Sequence, residues 1–190
     1  FVCTTITSAQ TPNWKWARSA AGGEYDESST IATDASGNII IAGYFASDSI
    51  TIGSINLQNA GIGFDDAFIA KYDSSGNLIW AQSFGSTSDD KATAVTTDNA
   101  GNIYLTGYFY SPTITIGTYT FTNAGNVGDI FIVKYDSNGN ILWATKEGGP
   151  GLEIPYAISV DALNNIVLVG RFSSNSITFG TTTLALAGSM

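Results

Sequence analysis

Apolar and polar side chains alternate along most of this chain in short runs. In the run Ile103–Phe109, odd-numbered residues fall on one face of an extended strand and even-numbered residues on the other, and both faces carry large side chains. The runs are rich in β-branched and aromatic residues and are bounded by turn-forming residues, which is typical of strands. No window shows the period of an amphipathic helix. The pattern predicts an all-β protein whose sheets are covered on both faces.

The runs recur at a fixed distance along the chain. Trp16, Trp80 and Trp143 stand 64 and 63 residues apart, and Asp66–Phe109 aligns with Asp129–Phe172 without a gap over 44 residues. Such self-similarity indicates one supersecondary unit that is copied along the chain and buries its face on its neighbour. The predicted strands, grouped by equivalent position, are Ala67–Tyr72 and Ile130–Tyr135, Leu78–Ser83 and Ile141–Lys146, Ala92–Thr97 and Ile154–Val160, and Ile39–Phe45, Ile103–Phe109 and Ile166–Phe172.

An insertion lies between the last strand of one aligned group and the first strand of the next. Each insertion contains the same kernel of alternating apolar residues before a glycine, of which Ser49-Ile-Thr-Ile-Gly53 is the first. This kernel predicts a small additional hairpin with a structural role. The insertions are Ala46–Asp65, Tyr110–Gly128 and Ser173 onward.

A five-residue motif, Asp-x-x-Gly-Asn, joins pairs of predicted strands. Its glycine stands where a short loop needs a positive φ, and its aspartate is placed to accept hydrogen bonds from backbone N–H groups. In the last copy Asn164 replaces the glycine, and asparagine tolerates the same conformation. The motif lacks the alternating carboxylates and the closing glutamate of a calcium loop, so it predicts tight turns. The five copies begin at Asp34, Asp73, Asp98, Asp136 and Asp161.

Four antiparallel strands in each copy predict the blades of a β-propeller, each with a hairpin insertion. The chain holds about three repeats of 63 or 64 residues. A closed propeller has about four to eight blades. We therefore expect residues 11–190 to be part of a larger propeller, and the alternatives are an open arc or closure by assembly with other copies. Open end strands would favour self-association.

The repeated residues match a known pattern at this point. The sequence Asp66-Ala-Phe-Ile-Ala-Lys-Tyr-Asp-x-x-Gly-Asn-Leu-Ile-Trp-Ala81, followed by Asp98-x-x-Gly-Asn-Ile-Tyr-Leu-Thr-Gly107, resembles the bacterial SBBP-type β-propeller repeat. The resemblance covers roughly Asn13–Gly180. It implies a propeller in a secreted or cell-surface bacterial protein, and it implies no reaction, because fold alone does not determine activity.

Composition narrows the possible partners. The net charge is −9 with a pI near 4.1, which argues against nucleic acid because few cations are available to neutralise phosphates. The single cysteine, Cys3, has no internal disulfide partner, and the absence of histidine removes the commonest general base and metal ligand. No run of apolar residues is long enough for a membrane span.

The first ten residues lie outside the repeat. Thr7 and Ala9 are small residues at the −3 and −1 positions of a possible secretory cleavage site before Gln10. We expect residues 1–10 to be the remnant of a signal peptide, which favours secretion. A plain leading strand or an irregular terminus is the alternative.

One set of carboxylates recurs once in each copy. Asp26, Asp90 and Glu153 stand just before the strand that is expected to line the central channel, with Glu24, Tyr25, Glu27, Asp89 and Lys91 nearby. A closed ring would bring these carboxylates together at one mouth, where they would face a ligand: calcium, a basic group or a sugar. The alternative is that each caps backbone N–H groups of the adjacent blade.

Aromatic residues are the other candidates for binding. Tyr44 and Tyr108 are equivalent, Arg171 stands at the same position in the third copy, and Tyr110 opens an insertion. Exposed aromatic rings stack on sugars, whereas rings between stacked blades fill space. The tryptophans recur so regularly that we expect them to serve packing.

The sequence offers no catalytic constellation. It has no histidine for a triad, no Gly-x-Ser-x-Gly elbow and no phosphate-binding loop. The neighbouring pairs Asp65–Asp66 and Asp89–Asp90 have the chemistry but not the expected geometry for glycoside hydrolysis. We therefore expect a non-enzymatic, secreted or cell-surface propeller without a cofactor, serving as a scaffold or as a protein- or glycan-binding face. The alternative is an accessory domain of a larger extracellular hydrolase whose catalytic residues lie outside this chain.

Overall fold

The computed structural model of this protein describes residues 15–125 and 127–186. The predicted signal-peptide remnant, residues 1–10, lies outside these ranges. Every regular element within them is a β-strand, which confirms the all-β prediction for the described part of the chain. None of these residues forms a helix long and apolar enough to cross a membrane.

The strands fall into a regular order along the chain. In that order they are β1 (Ala20–Ala21), β2 (Asp26–Thr33), β3 (Ile39–Phe45), β4 (Ser49–Ile52), β5 (Ile55–Gln58), β6 (Asp66–Tyr72), β7 (Leu78–Phe84), β8 (Asp90–Thr97), β9 (Ile103–Phe109), β10 (Thr113–Ile116), β11 (Tyr119–Thr122), β12 (Asp129–Tyr135), β13 (Ile141–Glu147), β14 (Glu153–Val160), β15 (Ile166–Phe172), β16 (Ser176–Phe179) and β17 (Thr182–Ala185).

Two four-stranded antiparallel sheets and one two-stranded sheet form the body of the protein. The first sheet has the order β2-β3-β6-β7, the second has the order β8-β9-β12-β13, and the third pairs β14 with β15. All pairings are antiparallel, and each four-stranded sheet is a meander in which the chain moves outward from its first strand. This is the blade topology that the repeats predict.

Three small hairpins confirm the prediction for the insertions. They are β4–β5, β10–β11 and β16–β17, and each turns at a glycine with positive φ: Gly53 at 59°, Gly117 at 62° and Gly180 at 58°. The apolar side of each hairpin is buried, because Ile50, Ile114 and Ile177 are almost fully enclosed. β1 extends the first hairpin by pairing with β4.

The structure corrects the position of the insertions. The aligned group Asp66–Phe109 crosses from one sheet to the next, because β6 and β7 end the first sheet whereas β8 and β9 begin the second. The hairpins β4–β5 and β10–β11 therefore each lie between the second and third strands of one sheet, not between sheets, and β16–β17 follows the second strand of the third sheet. The short link Gly85–Asp89 joins the two sheets, whereas a long connection that contains the hairpin joins the second and third strands within a sheet. The aligned group Asp66–Phe109 contains only the short link, so the alignment has no gap.

The sheets pack face to face in series. β8 of the second sheet contacts β2, β3 and β6 of the first sheet, and β14 contacts β8, β9 and β12 of the second. One buried cluster between the first two sheets includes Ile69, Leu105 and Phe131, and a second between the second and third sheets includes Tyr104, Ile132 and Ile158. Because both faces of the second sheet are buried, both faces of its strands are apolar, as the alternation predicts.

Trp16 and Trp80 each contact a turn of the sheet that follows them, as expected for packing residues. The Trp80 indole N–H donates to the Ser137 carbonyl at 3.3 Å, and its ring stacks on Tyr135 with centroids 6.1 Å apart. Trp16 makes the equivalent contacts with the Ser74 carbonyl at 3.2 Å and with Tyr72.

The Asp-x-x-Gly-Asn turns have the predicted geometry. Asp34 is typical: its Oδ1 accepts the N–H groups of Ser36 at 2.9 Å and Asn38 at 3.0 Å, and its Oδ2 accepts the Asn38 side-chain amide at 2.8 Å. The same three bonds recur in all five copies. Asn164 adopts φ 64°, and the four motif glycines have φ between 76° and 86°. These hydrogen bonds satisfy the aspartates without a metal.

The turns define one end of the molecule, which we call the turn end. The opposite end, the loop end, carries the starts of β2, β8 and β14 and the points where the chain enters and leaves each hairpin, whereas the hairpin turns lie toward the turn end, with Gly53 beside Leu78 and Gly117 beside Ile141. The pairing of Asp26 with Phe45 and of Asp90 with Phe109 places the start of each first strand beside the start of the following hairpin segment. The loops before β2, β8 and β14 and the bases of the hairpins thus share one end, where contact surfaces are most readily built.

Candidate binding face at the loop end

The three predicted carboxylates occupy equivalent positions at the loop end. Asp90 Oδ2 accepts the backbone N–H of Ser86 at 2.8 Å and the hydroxyl of Ser111 at 2.7 Å. Asp26 and Glu153 accept the same two kinds of donor, a backbone N–H four residues earlier and a serine hydroxyl 21 residues later. Each carboxylate therefore ties the link before its strand to the segment after the next strand.

The carboxylates are enclosed by these bonds. Asp90 and Glu153 are both 0% exposed, and Asp26 is half-buried. The described residues contain no group of three or more His, Cys, Asp or Glu that could hold a metal ion. The geometry matches the capping interpretation, with donors from the chain's own loops, and it leaves Asp90 and Glu153 no surface for a ligand. Burial, which outweighs the Ser111 and Ser86 donors, raises the pKa of Asp90 to about 7.

An open concavity lies beside these carboxylates, where the first strands of the three sheets meet. Its volume is about 350 Å³, and its walls combine two charged side chains, Glu27 and Lys91, with three tyrosines. The tyrosines are Tyr44, Tyr108 and Tyr156. Aromatic walls with a few convergent polar groups are the usual lining of a binding site.

A glutamate holds two tyrosines in place at one side of the concavity. Glu27 Oε2 accepts the hydroxyls of Tyr25 at 2.6 Å and Tyr44 at 2.9 Å, and the two rings are 6.4 Å apart. The hydrogen bonds from Tyr25 and Tyr44 lower the pKa of Glu27. The pKa of Tyr25 is raised chiefly by its bond to Glu27, and that of Tyr44 chiefly by burial. At neutral pH this arrangement is an ionised carboxylate with two phenol donors.

Lys91 crosses from the second sheet to the first. Its Nζ lies 4.1 Å from the centroid of the Tyr44 ring and 2.6 Å from Asp65 Oδ2. Burial would lower the pKa of Lys91, but the hydrogen bond and charge of Asp65 outweigh it and raise the pKa. The cation–π contact and the ion pair together fix the wall of the concavity. Lys91 forms its ion pair with Asp65, so Glu27 has no ion pair of its own among the described residues, although the charge of Lys91 also helps to lower the pKa of Glu27.

A bulge in the first strand of each sheet shapes the floor of the concavity. The register shifts at Ser29, Thr93 and Tyr156, and all three line the concavity. Ser29 donates to the Ala92 carbonyl at 3.1 Å and Thr93 to the Pro155 carbonyl at 2.8 Å, so the bulges link successive sheets. The third bulge residue, Tyr156, is instead 56% exposed.

The candidates at the equivalent aromatic positions lie in two different places in the structure. Tyr44 and Tyr108 line the concavity, and Tyr110 contacts the edge of Tyr108 with centroids 5.7 Å apart. Arg171 lies elsewhere, in an apolar cleft of about 140 Å³ beside Phe172. Tyr156 is the residue that the sequence analysis missed. The sequence could have indicated Tyr156, because the equivalent residues in the other two copies are the small polar residues Ser29 and Thr93.

Comparisons with known proteins agree with the repeat architecture. Residues 79–108 match the SBBP family, described as "Beta-propeller repeat". The matched segment runs from β7 through β9 and thus spans the junction between the first and second sheets.

Two relatives cover larger parts of the chain. One is "Uncharacterized WD repeat-containing protein L264" of Acanthamoeba polyphaga mimivirus, 34% identical over an alignment of 165 residues that covers 79% of this chain and 12% of that protein. The other is "Regulatory protein FlaEY" of Caulobacter vibrioides, 24% identical over 117 residues, which are 60% of this chain and 12% of that protein. The chain thus spans 12% of the length of these curated relatives. Because one relative is viral and the other bacterial, they do not confirm the predicted bacterial origin.

Proposed function

We propose that this chain is part of a protein-interaction scaffold and that the concavity at the loop end is its contact surface. The observation that carries the proposal is the concavity itself, in which three tyrosines and the ionised Glu27 meet at the junction of three sheets. Tyrosines bury a large area with few rotatable bonds, which suits a contact surface. The repeat match and the name of the mimivirus relative support a scaffold of repeats.

The charge of the surface supports a basic protein segment as the partner. Glu27 Oε2 receives the two tyrosine hydroxyls, and among the described residues no donor is bonded to its Oε1. Within the described part of the chain, Lys91 is the only cation that lines the concavity, and it is paired with Asp65. A lysine or arginine of a partner would meet Glu27 and stack against Tyr156, and the net charge of −9 would attract such a segment from a distance.

A glycan is the second candidate ligand. Tyr156 and Tyr25 are both more than half exposed, and exposed rings stack on sugar rings. We also propose that the protein is secreted or attached to the cell surface, which rests only on the SBBP resemblance and the cleavage pattern of residues 1–10. Any catalytic activity would belong to parts of a longer protein beyond this chain.

Binding to a peptide array and a glycan array, read side by side, tests the proposal. We expect purified protein to bind arginine- and lysine-rich peptides with an affinity that falls as salt rises. Glu27→Gln and Tyr156→Ala should each weaken binding about tenfold or more, the loss of a charge-assisted contact or an aromatic anchor. Tyr119→Ala, on β11 and outside the concavity, is the aromatic control and should bind as the wild type does.

Each alternative result has a clear meaning. Binding to glycans alone, lost in Tyr156→Ala but independent of salt, would replace the peptide by a sugar. Peptide binding that is unaffected by both substitutions would overturn the assignment of the concavity.

A further inference from the structure

Two buried aspartates stand at equivalent positions in the first and second sheets. Asp66 begins β6 and is 1% exposed, and Asp129 begins β12 and is 0% exposed. Oδ2 of Asp66 accepts the backbone N–H of Ala60 at 2.6 Å, and Oδ2 of Asp129 accepts that of Ala124 at 2.8 Å. In both residues Oδ1 is buried without a hydrogen-bond partner among the described residues. The two repeats thus form the same carboxylate cradle.

A glycine closes each cradle. A Cβ on Gly85 would stand 2.0 Å from Asp66 Oδ1, and one on Gly148 would stand 2.1 Å from Asp129 Oδ1. No side chain at these positions can supply a donor to Oδ1. Each aspartate therefore depends on its surroundings for a compensating positive charge.

The repeats differ in that compensating charge. In the second sheet Lys146 Nζ lies 2.8 Å from Asp129 Oδ2. The equivalent residue in β7 is Ser83, 63 positions earlier, and its hydroxyl donates to the Gln58 carbonyl at 3.4 Å. Among the described residues no lysine or arginine forms an ion pair with Asp66. One repeat carries the cation and its neighbour lacks it.

The charged groups around Asp66 increase the need for a positive charge. Asp65 precedes it and raises its pKa, and the buried Asp90 of β8, whose own pKa is about 7, adds a further negative charge as it ionises. The nearby Lys91 is already paired with Asp65 at 2.6 Å. Taking a carboxylate out of water without a cation is costly, and such a group avoids the cost by taking a proton.

We propose that Asp66 is a proton-binding site, at which a proton from solution supplies the charge that Lys146 supplies in the next repeat. A metal ion fits less well, because the described residues include no group of three metal-ligating side chains. The site lies at the junction of the first and second sheets, so proton uptake there stabilises the folded chain.

The direction of the pH dependence follows from the environment. Burial, with a smaller contribution from Asp65, raises the pKa of Asp66 from 3.8 to about 6. The folded chain therefore binds more protons than the unfolded chain between about pH 4 and pH 6. The contribution of Asp66 to the free energy of unfolding is largest at the acidic side of this window and falls as the pH rises through about 6. Below the unfolded pKa both states are protonated, and the stability gains nothing further from this group.

The experiment compares the side-chain carboxyl titration by NMR with thermal melts from pH 4.5 to pH 8. In the wild type we expect Asp66 to titrate near pH 6 and the melting temperature to fall by several degrees over this range. Ser83→Lys transplants the missing cation and should move the Asp66 midpoint down by at least one pH unit and reduce the pH dependence of the melts, to which the buried Asp90 also contributes. Ser83→Gln, of similar length but neutral, is the matched control and should leave the midpoint in place.

The wild-type titration decides the proposal even if a variant folds poorly. A midpoint for Asp66 near 4 in the wild type would overturn it, as would equal midpoints in Ser83→Lys and Ser83→Gln. Melts and titrations repeated with calcium and with a chelator separate the two sources of charge. A midpoint that moves with calcium would assign the site to a metal in place of a proton.

Discussion

At the scale of single residues, the motif glycines set how closely one sheet approaches the next. Gly76 and Gly101 both have φ 80°, a conformation that costs other residues free energy. They differ in their neighbours. A Cβ on Gly76 would stand 2.6 Å from the Trp16 ring, whereas a Cβ on Gly101 would meet only Ser137 at 3.8 Å. One glycine serves the turn alone, and the other also makes room for a tryptophan.

This pair separates backbone strain from packing. Gly101→Ala should destabilise the protein by about 1 kcal/mol, the cost of placing alanine at positive φ. Gly76→Ala should cost more, roughly 2–3 kcal/mol, because the Trp16 ring must also move. Urea unfolding of both variants measures the difference. Equal midpoints would mean that Trp16 contributes little at this contact.

Residue-level prediction succeeded where a local motif determines the structure. The Asp-x-x-Gly-Asn turns and Asn164 were predictable because their hydrogen bonds are made within five residues. The Glu27–Tyr44 contact joins residues 17 positions apart, and the Lys91–Asp65 pair joins separate sheets. The sequence indicated these residues as neighbours of the carboxylates but not their partners, because the partners depend on how the sheets pack.

At the scale of elements, the junctions between sheets are made by a few long side chains of β6 and β7. Trp80 and Lys71 both donate to the Ser137 carbonyl, and Gln82 donates to the Gly139 carbonyl at 2.8 Å. Lys71 is almost fully buried, and its Nζ also lies 2.9 Å from Asp34 Oδ2. Charge-assisted bonds in such an enclosed place strongly favour one arrangement of the two sheets.

Trp143 is the natural comparison for Trp80. Its ring meets the edge of Tyr104 in its own sheet, with centroids 6.2 Å apart, and no indole hydrogen bond is present among the described residues. Trp80→Phe should therefore destabilise the protein more than Trp143→Phe does, by about 1 kcal/mol for the lost hydrogen bond. Thermal or urea unfolding of the two variants checks this order. If Trp143→Phe were the more destabilising substitution, the contact of Trp143 with Tyr104 would contribute more to stability than the contacts of Trp80 with the next sheet.

Element prediction was accurate for the strands, but the gapless alignment alone did not show which strands share a sheet. Alternation located the strands to within a residue or two, because a strand buried on both faces must be apolar on both. A periodic sequence can be divided into repeat units from any starting residue, so the period alone did not show that a sheet begins at Asp26 or Asp90. Only the pairing of β9 with β12 across the hairpin showed where one sheet ends.

At the scale of the whole molecule, burial is unevenly distributed along the series of sheets. The second sheet is packed on both faces, and the strands β6, β9 and β12 are almost entirely buried. The third sheet has two strands, and its Val167 and Val169 are more than half exposed. Local stability should therefore decline from the centre toward the third sheet.

Hydrogen exchange followed by mass spectrometry tests this gradient. We expect amides of β6, β9 and β12 to exchange slowest and those of β15 and β17 to exchange fastest, because few apolar contacts hold the latter strands. The hairpin β10–β11 is the control for short elements, since its Ile114 and Ile116 are buried between sheets. Uniform protection across all three sheets would contradict this picture.

The hydrogen bond from a tryptophan to a turn joins residues at nearly the same sequence separation in both copies, 58 residues from Trp16 to Ser74 and 57 from Trp80 to Ser137. Each repeat of the gene therefore encodes both a tryptophan that contacts a turn of the following module and a turn that accepts the tryptophan of the preceding module. Unequal crossing-over between two such repeats adds or removes whole modules. Each new junction between modules still pairs a tryptophan with a turn. The gene can thus change its copy number in a single recombination event without any compensating substitution.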